Sequence, residues 1–236
     1  MSDSPEYAAP AIDKALDILE LLAESPAPMS QLEIATAIGR SAAQIFRPLL
    51  RLEKRGYLYR DPQSGLYRLS LRMFDLAHRQ EPLRSLLTVA IPAMRELAAD
   101  IGQSCNLGTL DNRSVRIVAQ VESPADFGFR VRVGALFDVA HTATGMVLAA
   151  FSDEAFDGVD EDRLDAIRAE GAFVLPDSAQ PGITDVVVPI LRSNGREAVA
   201  AITVPYIATS YSSSGTGAVL DRTVEAAQRV QAALGV

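Results

Sequence analysis

The chain has 236 residues, 48% of them apolar, and its 22 Lys and Arg stand against 30 Asp and Glu for a net charge of −8. That length holds two modest domains, and no apolar run reaches the ~18 residues that cross a bilayer, which argues against a membrane role. The single cysteine, Cys105, excludes an internal disulfide framework, and with no basic and apolar leader at the N-terminus the expected location is the cytoplasm.

In chain order, residues 1–9 read as a disordered tail. Ile12, Ala15, Leu16, Leu19 and Leu22 then form a helical stripe, which Pro26 and Pro28 end. Ser30 with Glu33, and Ser41 with Gln44, are two capping boxes, each marking a helix start by satisfying free N–H groups there. A short helix ending near Ile38, a turn at Gly39 and a longer capped helix are the sequence form of helix-turn-helix. In the longer helix Ile45, Leu49 and Leu52 are the buried stripe, while Gln44, Arg47 and Arg51 lie on another face. Gly56 ends it. Pro48 interrupts its middle, so the helix either bends there or is two segments.

Two strand-like runs follow, Tyr57–Arg60 and Leu66–Ser70, joined by Asp-Pro-Gln-Ser-Gly. Helix, turn, helix and hairpin make a winged helix-turn-helix. From Arg40 to Arg72 there are eight Arg or Lys and two acids, a local +6 in an acidic chain. Such a patch is the electrostatic footprint for a polyanion. The expected DNA-contacting set is Ser30 and Gln31, then Ser41, Ala42, Gln44, Arg47 and Arg51, with Arg60 and Arg68 on the wing.

A short helix over Leu71–Arg79 reads as a linker, and Glu81-Pro82 punctuates the chain after it. The linker's Leu71, Phe74 and Ala77 either pack on their own domain or pair with another subunit. The boundary is placed near Gln80, giving a DNA-binding domain with linker helix over 1–80 and a second domain over 81–236. A helix over Leu83–Ile101 contains Pro92, a kink signal.

From Ser104 the texture becomes α/β. Asn106–Leu110 and Val115–Val121 read as strands around an Asp111-Asn112 turn, and Phe127–Val133 alternates like a strand. Ala143–Phe151 reads as a helix capped by Thr142, and Glu161–Ala169 as another. Val186–Leu191 and Ala198–Val204 read as strands, Tyr206–Gly217 as a Ser/Thr-rich loop and Thr216–Leu234 as a closing helix. The fold class is α+β.

The catalytic inventory is thin: two histidines, one cysteine, no Cys/His cluster at metal-ligand spacing, no G-x-S-x-G elbow and no Walker loop. No catalytic residue, metal or cofactor is expected. Cys105 and His141 read as packed residues or ligand contacts, and Cys105 alternatively as a redox sensor. The Thr142–Gly145 segment opens a helix, where free N–H groups and the positive dipole end suit a carboxylate; alternatively it is an ordinary cap with a packing glycine.

Taken together, these motifs resemble the IclR family of bacterial transcriptional regulators. The N-terminal part carries the resemblance in ALDILELLAE, RLEKRGYLYR and GLYRLSLRMFDLA. The C-terminal part carries it in IGQSCNL, VAQVESP, RVRVGALFDVAHTATGMVLAAF and GITDVVVPILRSNGREAVAAITVP. The first three of these are most similar to the subgroup that includes regulators of sugar-acid and pectin breakdown. The resemblance implies a winged helix-turn-helix followed by a GAF-like or profilin-like effector-binding domain. It implies homodimers, often paired into homotetramers, that bind double-stranded operator DNA as repressors or activators. It also implies a small organic-acid effector, bound by Ala143, Thr144 and Gly145 with Asn106, Phe129, Asp185 and Thr203. Relative to the family pattern, Pro48 is unusual and the segment between Phe151 and Gly171 is short, which predicts a smaller, more open or degenerate pocket. The expected function is a ligand-responsive regulator of a catabolic operon. The rival reading is a sensor or enzyme-like binding protein with a vestigial DNA-binding domain.

Overall fold

The computed structural model describes residues 9–177, 180–208 and 215–235. Residues 1–8 of the expected tail and residues 209–214 of the expected Ser/Thr-rich loop lie outside them. The chain divides into two compact units, Met1–Glu81 and Pro82–Val236.

The first unit contains α1 (Pro10–Glu24), α2 (Gln31–Ala37), α3 (Ala42–Lys54), β1 (Leu58–Arg60), β2 (Tyr67–Leu69) and α4 (Arg72–His78). Both capping boxes form: the Ser30 and Ser41 hydroxyls accept from the amides of Glu33 and Gln44, whose side chains reach back to the serine N–H groups. Ile18, Leu22, Ile34, Ile45, Leu49 and Leu52 close a three-helix core, to which the hairpin adds Leu58 and Tyr67. After α3 the Gly56 N–H reaches the Glu53 carbonyl and the Tyr57 N–H the Leu52 carbonyl, with Gly56 at φ 76. This left-handed cap turns the chain directly into β1. The hairpin pairs Leu58 with Leu69 and Arg60 with Tyr67, and Met29 bridges Tyr67 from the outer side, anchoring the wing to the α1–α2 connection.

Two expectations are corrected here. Pro48 does not divide α3, which runs from Ala42 to Lys54 as one helix, so of its two readings the two-segment one is corrected. One missing N–H is outweighed by two capped ends and by core contacts from Ile45, Leu49 and Leu52 on both sides of it. The stripe on α1 is not uniformly buried either. Ile18 and Leu22 are enclosed, while Ile12 and Leu16 stay half or more exposed, because the core of this unit covers only the C-terminal half of the helix.

The second unit is built on a six-stranded antiparallel sheet of order β5-β4-β3-β8-β7-β6. The strands are β3 (Cys105–Asp111), β4 (Ser114–Val121), β5 (Leu136–Asp138), β6 (Phe173–Pro176), β7 (Ile183–Leu191) and β8 (Ala198–Ile207). Against one face pack α5 (Glu81–Ile101) and α8 (Thr216–Leu234), through Met94, Leu97 and Val219 onto Leu107, Val186, Val188 and Ile202. Against the other face packs α6 (Ala143–Ala150), with α7 (Glu161–Glu170) on it, through Val147, Leu148, Leu164 and Ile167. Strand alternation sorts the side chains. Val186 and Val188 face α8, whereas Val187 faces α6, and Asp185 shares its parity. Pro92 lies inside α5 without ending it.

The strand expected at Phe127–Val133 does not form. Strand β5 is displaced to Leu136–Asp138, and 127–133 is irregular backbone. No neighbouring strand supplies that segment with a ladder. One side chain meets two of its backbone groups instead: Gln120 donates to the Phe129 carbonyl and accepts from the Val131 N–H, both at 3.4 Å. The edge strand β6 was not anticipated, and β8 extends through Tyr206 to Ile207, residues assigned to a loop from sequence.

Candidate functional sites

The first candidate site is the exposed face of α3 with the wing. Core packing of Ile45, Leu49 and Leu52 turns Gln44, Arg47 and Arg51 outward. Arg47 and Arg51 have no ion-pair partner among the described residues, so their guanidinium groups are available to a polyanion. The wing arginines are held by rings: Arg68 lies 4.7 Å over Tyr59 and Arg60 5.3 Å over Tyr67, an arrangement that positions a cation while leaving its outer edge open. Arg60 also donates to the Gly65 carbonyl at 3.3 Å.

Other members of the sequence-derived set have structural duties. Gln31 donates from its side chain to the Ala42 carbonyl at 2.8 Å, tying α2 to the start of α3. Ala42 itself packs against the core. Ser30 and Ser41 accept from helix amides, and Gln44 has its carbonyl oxygen on the Ser41 N–H. Their hydroxyl and amide hydrogens remain to donate to phosphate. Phe46 and Leu50, which the sequence reading passed over, are half exposed beside Arg47.

The second candidate site is a cavity of about 440 Å³ in the second unit, within the range of small-molecule sites. All six strands reach it. The sheet face beneath α6 supplies Asn106, Val115, Ile117, Asp185 and Thr203; the α6 start supplies Thr142, Ala143 and Thr144; the 129–135 segment forms a further wall. Neither α7 nor the short stretch before it lines the cavity.

The start of α6 is tightly organised. The Thr142 hydroxyl accepts from the Gly145 N–H at 3.1 Å and donates to the Asp138 carbonyl at 2.9 Å. Asp138 accepts from the Ala140 N–H and from the His141 ring at 2.7 Å, and these bonds, the ring's first, hold its carboxyl below the usual range. The N–H groups of Ala143 and Thr144 have no acceptor among the described residues. They are the free donors of a helix N-terminus. Thr144 is buried, and its hydroxyl lies 2.7 Å from that of Thr203.

Six of the seven sequence-derived residues, Asn106, Phe129, Ala143, Thr144, Asp185 and Thr203, line this one cavity. Gly145 does not. Its N–H is taken by the Thr142 cap, and a Cβ on it would lie 2.2 Å from the Val139 carbonyl oxygen. Glycine stands there so that α6 can touch the backbone before it. Gly108 has a related duty, since a Cβ there would lie 2.8 Å from the Thr144 methyl.

Arg130, Arg132 and Asp177 also line the cavity, and sequence reasoning missed all three; His141, read from sequence as a packed residue or a ligand contact, lines it too. The available signal was the Arg130/Arg132 alternation, read as the solvent face of a strand that does not form. Arg130 pairs with Glu122 at 3.3 Å, while Arg132 has no ion-pair partner among the described residues. Burial first, and the Asp177 charge second, push the Asp185 carboxyl up to about 6. Cys105 lies elsewhere, buried beneath α5 with its Sγ 3.5 Å from the Met94 carbonyl, and burial pushes its thiol up to about 12. A thiol that stays protonated is a packing group rather than a redox sensor.

Among the described residues there is no group of three or more His, Cys, Asp or Glu that could hold a metal ion, and no helix long and apolar enough to cross a membrane. The IclR helix-turn-helix domain model matches residues 11–62, and the bacterial transcriptional regulator IclR C-terminal model matches residues 83–157. The chain is 27% identical over 210 residues to the glycerol operon regulatory protein of Streptomyces griseus, covering 81% of this chain and 82% of that one. It is 28% identical over 145 residues to the transcriptional regulator XynR of Escherichia coli K12, covering 61% of this chain and 58% of that one. Among solved structures, Thermotoga maritima IclR superposes with a TM-score of 0.74 at 21% identity, over 95% of this chain and 98% of that one. An IclR homolog from Microbacterium hydrocarbonoxydans, complexed with 4-hydroxybenzoate, superposes with a TM-score of 0.76 at 19% identity, over 95% and 99%. At these identities the structural likeness speaks for the fold.

Proposed function

The chain belongs to the IclR family of bacterial transcriptional regulators, and from that premise we propose that it is a ligand-responsive regulator of a catabolic operon, its second domain sensing a small organic acid. DNA binding through the winged helix-turn-helix is the property of the family, as is the absence of enzymatic activity. The finer reading assigns residues 1–80 to DNA binding with a linker helix and 81–236 to effector binding. In it, Arg47 and Arg51 on α3 enter the major groove, and Arg60 and Arg68 contact backbone or minor groove.

One observation carries the effector reading. A cavity of about 440 Å³ opens at the N-terminus of α6, lined by Ala143, Thr144 and Arg132 among others, and the Ala143 and Thr144 amides have no acceptor among the described residues. Helix N-termini favour anions by roughly 0.3–1 kcal/mol. The named functions of relatives, a glycerol operon regulatory protein among them, and the homolog's 4-hydroxybenzoate accord with a carbon-source signal. The experiment is thermal-shift screening of the purified protein against small organic acids. A true effector at 100 times its Kd adds about 2.7 kcal/mol of stability. Stability unmoved by every acid, at millimolar concentration, rejects the reading.

The same reading makes the protein a symmetric oligomer, because one α3 reads too few base pairs for useful specificity. Helix α4 supports this by exposing Met73, Phe74 and Leu76 after an 80% exposed Leu71. An apolar helix face of this kind is an interface candidate. Light scattering should find a dimer or tetramer at micromolar concentration. A monomer that still binds operator DNA fully would contradict it.

A further inference from the structure

The outward face of α3 is not only basic. Helical spacing sets Ala43, Arg47, Leu50 and Lys54 along one line, opposite the buried Ile45, Leu49 and Leu52, and all four are exposed. Phe46 flanks this line on one side, and Gln44 and Arg51 flank it on the other. Phe46 and Leu50 are 52% and 48% exposed, and neither belongs to the core of this unit. They stand one turn apart, so their side chains are neighbours. Together they make an apolar strip beside Arg47 in the middle of the helix.

The charges around the strip say what covers it. Arg40, Arg47, Arg51, Lys54 and Arg55 are exposed and make no ion pair among the described residues. The one acid of α3, Glu53, is partly buried. A second copy of the chain meeting this face across a two-fold axis would set these cations against themselves. Duplex DNA is complementary to them, because its phosphates line both sides of the groove. A recognition helix seated in the major groove presents its N-terminal residues to the base edges. Those edges carry hydrogen-bonding groups throughout, and their one apolar substituent is the thymine C5-methyl. An apolar strip placed there has that methyl as its matching partner.

We infer that Phe46 and Leu50 read thymine in the operator, packing on C5-methyl groups in the major groove beside the position that Arg47 contacts; this rests on the reading of α3 as the helix that enters that groove. Phe46 and Leu50 are thus specificity-determining residues. The cations hold the helix on any duplex, while the apolar strip favours A·T pairs at fixed positions of the half-site. Each methyl group buried in this way is worth roughly a fourfold change in affinity.

The test removes the methyl and nothing else. The full-length protein selects its duplex from a random pool, and each thymine of that duplex is replaced in turn by deoxyuridine. At one or more positions of each half-site the uracil duplex should bind roughly fourfold more weakly. A Phe46→Ala, Leu50→Ala double variant should bind the thymine and uracil duplexes alike, with its salt dependence unchanged. Uracil duplexes that bind the unaltered protein as tightly as the thymine duplex at every position overturn the inference, whether or not the variant folds. In that case the placement of α3 in the groove survives, because a specific sequence was still selected. A pool that yields no preferred sequence removes both. A double variant that keeps the full uracil penalty but changes its oligomeric state makes the strip a subunit contact and also overturns the inference.

Discussion

The hydroxyls of Thr144 on α6 and Thr203 on β8 lie 2.7 Å apart in a buried contact between helix and sheet. The contact links the α6 N-terminus to the central strands beneath it. Replacing either threonine by valine keeps the volume but strands the other hydroxyl. Thr203→Val and Thr144→Val should each destabilise by about 1–3 kcal/mol. The double variant should cost less than the sum, since no hydroxyl is then left unmet. Chemical denaturation of the four proteins measures the coupling; strictly additive losses would mean the pair contributes nothing.

Gly145 gives the second prediction. Its Cβ position is occupied by the Val139 backbone, so Gly145→Ala forces α6 away from its preceding turn. The expected loss is about 1–3 kcal/mol, the range for overpacking, seen as a lower denaturation midpoint. Gly171, which ends α7 with open space around it, bears on strain from its positive φ alone. A Gly145→Ala protein as stable as the original would show that the close approach is not required.

Asp185 makes the second domain pH-sensitive in a definite direction. Its carboxyl titrates at about 6 when folded and near the ordinary value of about 4 when unfolded. Between those values the folded state binds more protons, so stability falls as pH rises through the window and stays lower above it. Asp185→Asn removes this contribution. Its melting temperature should therefore gain on that of the original protein from pH 4.5 to 7, and parallel profiles would contradict the assignment.

On the DNA side, Arg47→Ala should cost about 1–3 kcal/mol of operator binding if Arg47 reads a base, with relaxed specificity at that position. Arg60→Ala should weaken all sequences alike and flatten the salt dependence. Gel-shift or fluorescence titrations over a salt series distinguish the two. An Arg47→Ala, Arg51→Ala double variant with unchanged affinity would remove α3 from the interface.

The helix-turn-helix was legible because its determinants are local. Ser30, Ser41, Gly39 and Gly56 act within a few residues, and the stripe of Ile45, Leu49 and Leu52 needs only helical periodicity. The effector domain was less so. Alternation at Phe127–Val133 looked like a strand, but a strand also needs a partner ladder, which no local pattern encodes. Pro48 looked disruptive because its cost is local while the compensating core contacts are not. Asn106, Asp185 and Thr203 came from the family resemblance; their meeting in one cavity depends on strand order, which their spacing does not reveal. Gly145 was read as a ligand site when its local role, passing close to Val139, is a contact between two turns.

Regulation by a ligand requires coupling between the cavity and DNA. It is tested by measuring affinity for a selected operator duplex with and without a small organic acid that stabilises the protein. An acid that binds one arrangement of the protein better than another must shift operator affinity, typically by about 5- to 150-fold. Such a shift is the expected result. Operator affinity that stays constant as the acid saturates the protein would contradict it.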